Sequence, residues 1–222
     1  VQMQTDEAFR PGRRQVQAAG AAMLAMPAFV RARAASAHVV VVGGGFGGAT
    51  AARYLRQLAP EVKVTLVEPA TRFYTCPFSN LYLGGLRTFE SIGHGYDGLR
   101  ADGVDVVHAR AEDVDATART VRPSNGRTLK WDRLVLSPGI DFRWDALPGY
   151  DEAASWIAPH SWKAGKQTQL LYRQLRAMPD GGTFVMVIPD LPYRCPPGPY
   201  ERACMVAHYF KQNKPRSKIL LL

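Results

Sequence analysis

The sequence predicts an α/β protein that contains two consecutive βαβ units. The first unit begins at His38, where a continuous apolar run leads into closely spaced glycines, a helical stretch and a second apolar run. The second unit combines a helical stretch over 162–178, the apolar run TFVMVIP, which predicts a buried strand, and a second helical stretch. Several short strand-like segments lie between the two units and predict a small additional sheet.

Composition excludes several classes of protein. The 222 residues suffice for one large domain or two modest ones, and a hydrophobic share of 46% argues against disorder. The net charge is +9, but a third of it lies in the first 34 residues and the other basic residues are scattered, so we expect no nucleic-acid binding. Three cysteines are too few for a disulfide scaffold. The histidines lack metal-ligand spacing, so we expect no metal site.

The first 34 residues have the layout of an export signal. Arg13 and Arg14 precede an apolar run over 18–30, and Ala32-Arg33-Ala34 offers a cleavage site. The run is about half as long as a permanent membrane span, and the paired arginines favour a twin-arginine signal. We therefore expect a periplasmic protein without a stable membrane span after removal of residues 1–34. An amphipathic surface helix is the alternative interpretation.

The first βαβ unit has the features of a dinucleotide-binding site. Gly43, Gly45 and Gly48 stand in G-x-G-x-x-G register between the strand HVVVV and a helix that ends near Pro60. Such glycines permit a tight turn, let a diphosphate approach the backbone and allow close helix–strand packing. Glu68 ends the following strand, where its carboxylate can accept hydrogen bonds from ribose hydroxyls. The pattern does not by itself distinguish FAD from NAD.

The segments that follow favour FAD. Short strands over 104–115, in RTVRP and in TLKWD form a predicted β-meander, with a hairpin turn at Asn125-Gly126. A buried strand, RLVLSPG, then ends at Ser137 and Gly139, which we expect to contact the cofactor. This order resembles the FAD domain of flavoproteins with two dinucleotide-binding domains. We predict a Rossmann-like FAD-binding domain over 35–148 and the start of a second, central Rossmann-like domain over 149–222.

The turn of the second βαβ unit departs from a nicotinamide-binding site. It reads PDLPYRCPPGP, with prolines where a diphosphate cradle needs glycines. Proline removes N–H donors and stiffens the backbone, so NAD(P)H is not expected to be the reductant. The last strand, SKILLL, would leave an incomplete sheet at Leu222. We therefore expect the sequence to be the N-terminal portion of a longer, truncated protein.

Several stretches in the same order resemble one known family. They are VVVVGGGFGGATAARYL, YTCPFSN, SIGHGYDGLR, LVLSPGI, HSWKAGKQT and YRCPPGPYERA. Together they make the chain, from His38 to Leu222, similar to the flavoprotein subunit of flavocytochrome c sulfide dehydrogenase. The resemblance implies FAD-dependent oxidation of sulfide to sulfur or polysulfide. It also implies electron transfer to a c-type cytochrome subunit that alone carries haem.

The same resemblance assigns roles to three residues. Cys76 of the YTC motif would carry FAD covalently through the flavin 8α-methyl carbon. Cys195 would be half of a redox-active disulfide, with its partner cysteine beyond residue 222. Glu201 would act as an acid or base near the same face.

Plainer interpretations stay open for these residues. Cys76 could be an ordinary loop thiol, Cys195 a structural thiol, and Glu201 a residue that favours a helix N-terminus. Cys204 lies beside apolar residues of a predicted helix, so we expect it to be buried. Two rival functions also remain, namely a sulfide:quinone oxidoreductase and a non-catalytic flavin-binding scaffold.

Overall fold

A computed structural model describes residues 37–160 and 162–222, so the predicted export signal over 1–34 lies outside the described residues. The chain divides into two compact units, which are called the first and the second unit from here on and are larger than the two predicted βαβ units. The first unit contains residues 37–69 and Gly98–Pro138, and the second contains Ala70–Asp97 and Gly139–Leu222. The polypeptide therefore passes between the two units three times.

Helices and short strands alternate along the described residues. The strands are β1 (His38–Val42), β2 (Lys63–Val67), β3 (Phe73–Tyr74), β4 (Gly93–His94), β5 (Asp105–Val107), β6 (Ala111–Asp115), β7 (Thr120–Pro123), β8 (Leu129–Lys130), β9 (Arg133–Leu136), β10 (Thr183–Met186) and β11 (Lys218–Leu221). The α-helices are α1 (Phe46–Leu58), α2 (Ser79–Leu83), α3 (Asp97–Ala101), α4 (Lys166–Ala177) and α5 (Gly198–Asn213).

The first unit is built on a parallel sheet in the order β5-β2-β1-β9. Strand β1 pairs with β2 on one side and with β9 on the other. Its apolar side chains are accordingly shielded from solvent, and Val40 and Val41 are completely buried. The predicted β-meander is present as the antiparallel sheet β6-β7-β8, and Gly126 has φ +78° at the turn between β7 and β8. One apolar cluster joins the two sheets and contains Val40, Val42, Val67, Val121 and Leu129.

The second unit contains the predicted second βαβ arrangement. Strands β10 and β11 pair in parallel, and α5 connects them in sequence. An apolar cluster forms between α4 and α5, where Leu175 packs with Val206, Tyr209 and Phe210. The α/β class and the Rossmann-like arrangement predicted from the sequence are therefore confirmed.

Two strands predicted to be buried are more exposed than expected. Along β9, Arg133 and Leu136 are exposed while the two residues between them are half-buried. Along β10, exposed and half-buried residues alternate. The prediction was wrong because, within the described residues, each of these strands pairs on one side only. Their residues are therefore less shielded from solvent than those of a strand in the middle of a sheet.

Candidate functional site

The glycine-rich turn of the first unit leaves no room for side chains at two positions. Gly43 has φ +98°, and a Cβ atom there would overlap the backbone carbonyl oxygen of Ser137. A Cβ atom on Gly48 would overlap the carbonyl oxygen of Gly43. Gly45 is the residue before α1, and its carbonyl oxygen accepts the backbone N–H of Ala49 at 3.0 Å. The sequence spacing therefore corresponds to a tight strand-to-helix turn that only glycine permits.

Glu68 lies against this turn. Its Oε2 accepts a hydrogen bond from the backbone N–H of Gly44 at 2.7 Å, and its own N–H donates to Val107 at 3.0 Å. Ser137 follows β9 and donates its backbone N–H to Val42 at 2.8 Å. The carboxyl ends of β1, β2 and β9 thus bring the turn, Glu68 and Ser137 to one edge of the sheet, where α/β proteins bind nucleotides.

These residues fit the ADP part of a dinucleotide. The first turn of α1 has N–H groups without intrahelical acceptors, and the bare backbone before it allows a diphosphate to approach. The Glu68 carboxylate can exchange its bond to Gly44 for bonds to ribose hydroxyls. Gly139 belongs to the second unit, has φ +80°, and no atom lies within 4 Å of the Cβ it lacks. Its contact with a cofactor therefore stays a prediction.

The second unit contains a cavity of about 820 Å³. Both Cys76 and Cys195 line it, although 118 positions of sequence separate them. Glu201, the third residue singled out from the sequence in this unit, also lines the cavity. The other lining residues include Asn80, His160 and Arg202, which were not singled out from the sequence.

The loop around Cys76 is fixed on both sides of the thiol. Before it, buried Thr75 donates its backbone N–H to Ile92 at 2.9 Å and its hydroxyl to Pro77 at 2.9 Å. After it, the carbonyl oxygen of Cys76 accepts the N–H of Ser79 at 3.0 Å, where α2 begins. Of the two residues between Cys76 and Ser79, Phe78 has φ 69°. The thiol itself is exposed, so a rigid turn presents it to the cavity.

Cys195 is held at the start of α5. It has φ 60°, and its carbonyl oxygen accepts the N–H of Gly198 at 2.9 Å. A Cβ on Gly198 would stand 3.4 Å from the Cys195 sulfur and 3.3 Å from the Trp162 ring. The residue is exposed, and its sulfur lies close to Gly198, the first residue of the helix. Glu201 follows in the first helical turn, where its charge is favourable to the helix dipole.

Arg202 is a buried cation in the wall of this cavity. Its residue is 5% exposed, and its Nε donates to the side-chain oxygen of Asn80 at 2.9 Å. Burial lowers the pKa of Arg202 to about 10, and the electrostatic interaction with nearby Cys76 partly opposes this shift. The guanidinium is therefore still charged at neutral pH. The sequence held a signal for it, since Arg202 occupies the same helix stripe as buried Val206 and Phe210.

His160 is an uncharged polar group of the same cavity. Its Nδ1 is buried and has no hydrogen-bond partner among the described residues. Burial lowers the pKa of His160 to about 4, with further contributions from the positive charges of Lys163 and Arg202. The ring packs against Phe142, with 4.2 Å between centroids. At neutral pH the cavity thus contains a neutral imidazole with an unsatisfied nitrogen.

Cys204 does not have the buried position expected from the sequence. It is exposed on α5, because it lies between the buried positions Arg202 and Val206 and so points away from their stripe. All three cysteines are free thiols, and Cys204 is not among the residues that line the cavity. Over 37–160 and 162–222, no cluster of His, Cys, Asp and Glu could hold a metal ion. No helix of that part is long and apolar enough to cross a membrane.

Two family models match the chain. The pyridine nucleotide-disulphide oxidoreductase model matches residues 37–174, and so covers the glycine-rich turn and Cys76. The central region of the sulfide dehydrogenase [flavocytochrome c] flavoprotein chain matches residues 168–222, and so covers Cys195, Glu201 and Arg202. The two matches together span the described residues.

Curated relatives agree with these models. The sulfide dehydrogenase [flavocytochrome c] flavoprotein chain of Chlorobaculum thiosulfatiphilum is 74% identical over 43 residues, which are 19% of this chain and 90% of that one. A sulfide-quinone reductase of Aquifex aeolicus (strain VF5) is 33% identical over 186 residues, which are 82% of this chain. The chain spans only 41% of the length of that reductase.

Solved structures share the fold. The sulfide:quinone oxidoreductase of Aquifex aeolicus has a TM-score of 0.64 and 29% identity over 81% of this chain and 41% of its own. Putidaredoxin reductase, solved in a covalent complex with putidaredoxin, has a TM-score of 0.60 and 21% identity over 83% of this chain and 49% of its own. The second likeness is a likeness of fold alone.

Proposed function

Because the chain belongs to the pyridine nucleotide-disulphide oxidoreductases, and among them to the flavoprotein chains of flavocytochrome c sulfide dehydrogenase, we propose that it serves FAD-dependent oxidation of sulfide. The observation that carries this proposal is the cavity of the second unit, which both Cys76 and Cys195 line. Two exposed thiols on rigid turns in one cavity suit sulfur chemistry. The proline-rich turn beside Cys195 lacks the glycines of a nicotinamide site.

FAD is the cofactor of this proposal. Gly43, Gly48 and Glu68 would bind its ADP part, and the Cys76 sulfur would carry the flavin through a thioether. Bound FAD supplies the capacity to accept an electron pair and to release electrons singly. The hydrogen bonds on both sides of Cys76 support a covalent attachment, because they fix the backbone that carries the thiol while the residue itself is exposed.

Cys195 and Glu201 would act on sulfide. When Cys195 is paired in a disulfide with a second cysteine, attack by hydrosulfide breaks that disulfide and forms a persulfide on one cysteine and a thiolate on the other. Glu201 lines the same cavity and is exposed, so its carboxylate can accept the hydrosulfide proton. The stiff turn at Cys195 keeps the sulfur accessible for this exchange.

We further propose that electrons pass to a c-type cytochrome subunit and that the protein works in the periplasm. The 74% identity to the Chlorobaculum chain and the export-signal pattern over 1–34 support this choice. The alternative acceptor is a quinone, which the 33% identity to the Aquifex sulfide-quinone reductase supports. A non-catalytic scaffold would not require two cavity thiols.

The test uses the full-length protein with each acceptor in turn. Sulfide-dependent reduction of cytochrome c is expected, and Cys195→Ser should abolish it. Cys204→Ser is the matched control, because Cys204 is an exposed thiol that does not line the cavity. Turnover with a soluble quinone but not with cytochrome c would contradict the cytochrome acceptor and support the alternative function of a sulfide:quinone oxidoreductase. Undiminished turnover in Cys195→Ser would contradict the role of Cys195.

A further inference from the structure

We propose that Arg202 and His160 form an anion-binding site in the cavity of the second unit, and that this site takes the hydrosulfide anion. The inference deepens the proposed function and rests on it for the identity of the ligand. The geometry that supports it is confined to the second unit. Arg202, His160 and both cavity thiols line one space of about 820 Å³.

Arg202 is a buried cation that forms no ion pair with a carboxylate of the described residues. A guanidinium has five N–H donors, and among the described residues Arg202 makes one hydrogen bond, from Nε to Asn80. A buried cation without a counter-charge is costly, and such groups are retained where an anion binds. Arg202 lines the cavity, and its other N–H donors have no hydrogen-bond acceptor among the described residues.

The second argument is the unsatisfied nitrogen of His160. Its Nδ1 is buried without a partner among the described residues, which is uncommon for a polar atom. The neutral ring can donate from Nδ1 when the proton resides there, or accept when it does not. Hydrosulfide can serve either form, because it is both a hydrogen-bond acceptor and a weak donor.

Other charged groups near the cavity do not cancel this site. Glu201 is exposed, so water screens its carboxylate. Lys163 is paired with Asp141 at 2.7 Å. Arg143 also lines the cavity, but it is exposed, so water screens its charge as well. Arg202 is therefore the buried charge of the cavity wall, and its field acts on anions that enter the cavity lined by Cys76 and Cys195.

Alkylation of the three thiols measures this field directly and needs neither flavin nor turnover. Iodoacetate and iodoacetamide both react with the thiolate, but only iodoacetate is an anion. The rate with iodoacetate divided by the rate with iodoacetamide therefore reports the local electrostatic potential, and a positive potential raises this ratio. Peptide mass spectrometry on the reduced chain gives this ratio for each cysteine. We expect the ratio at Cys195, and at Cys76 where it carries no flavin, to exceed that at Cys204 by about fivefold or more.

Variants assign the field to Arg202. Arg202→Gln should reduce the ratio at the cavity thiols to that of Cys204, and Arg202→Lys should retain most of it. Arg173→Gln is the matched control, because it removes the same charge from an exposed position on α4. Equal ratios at Cys195 and Cys204 in the unaltered protein, or a ratio that Arg202→Gln leaves unchanged, would overturn the proposal.

A second measurement on the unaltered chain covers the case in which Arg202→Gln does not fold. Thiocyanate, a small unreactive sulfur anion, should protect the cavity thiols from iodoacetamide and leave Cys204 unprotected. His160→Leu should weaken this protection while the alkylation ratio stays high, because the imidazole is neutral. Lack of protection, or protection that His160→Leu does not alter, would contradict the two-residue site. Neither result affects the flavin attachment, which is tested separately on the Cys76 peptide.

Discussion

The Nε of Arg202 donates a hydrogen bond to the side-chain oxygen of Asn80 at 2.9 Å. This bond joins α5, which follows Cys195, to α2, which follows Cys76. The two cysteine-bearing turns are far apart in the sequence, and yet the helices that follow them share a partly buried polar contact. Within the second unit, the hydrogen bond therefore connects the two segments that carry the thiols.

Removal of the Asn80 side chain should therefore destabilise the protein. In Asn80→Ala the buried guanidinium of Arg202 loses its hydrogen-bond acceptor, and we expect the free energy of unfolding to fall by about 1–3 kcal/mol. Urea denaturation measures this change. Gln212→Ala, an exposed substitution on the same helix as Arg202, should alter the free energy by less than about 0.5 kcal/mol. Equal effects of the two substitutions would show that the contact does not stabilise the fold.

The glycine-rich turn makes a separate prediction. Gly48→Ala would place a Cβ against the carbonyl oxygen of Gly43, so we expect a loss of stability of about 1–3 kcal/mol and weaker FAD binding. Gly98→Ala is the matched control, because Gly98 lies in a helix with open space around its missing Cβ. That control should stabilise the protein by about 0.4–1 kcal/mol. Tight FAD binding by Gly48→Ala would contradict the assignment of the turn.

The stability of the protein should depend on the protonation of His160. Its pKa is lowered to about 4 in the folded state, so the unfolded chain binds the proton more readily. The contribution is fully present above about pH 6.5 and is lost as the pH falls towards 4. Between pH 7 and pH 5 we expect the free energy of unfolding to decrease by about 1–2 kcal/mol more in the unaltered protein than in His160→Gln.

Urea denaturation at both pH values tests this difference. The pKa of His38 is also lowered by burial, but His38 is present in both proteins and its effect cancels. The exposed His208→Gln controls for the loss of an imidazole. An identical pH dependence in the unaltered protein and in His160→Gln would show that His160 is not buried as described.

The sequence predicted the first unit well because local rules determine it. Tight turns require glycine, parallel strands require apolar runs, and Gly43, Gly48 and Glu68 follow from these rules alone. The exposure of β9 and β10 could not be predicted in the same way, since it depends on how many neighbours each strand acquires. An apolar run has the same sequence pattern at the edge of a sheet and at its centre.

The cavity was predicted only in part. Cys76, Cys195 and Glu201 were found through family motifs, and the structure places all three in the cavity wall. Arg202 carried a signal that was overlooked, a charge within the apolar stripe of α5. The contact of Arg202 with Asn80 depends on packing between distant segments, which no local pattern reveals.

The central claim is that Cys76 carries the flavin. The most direct test is to express the full-length protein with residues 1–34 included, precipitate it in acid, digest the pellet and weigh the Cys76 peptide. A mass increase equal to that of a flavin, with yellow colour retained in the pellet, is the result we predict. An unmodified Cys76 peptide, with all flavin released to the supernatant, would contradict the claim and favour the quinone-linked or scaffold alternatives.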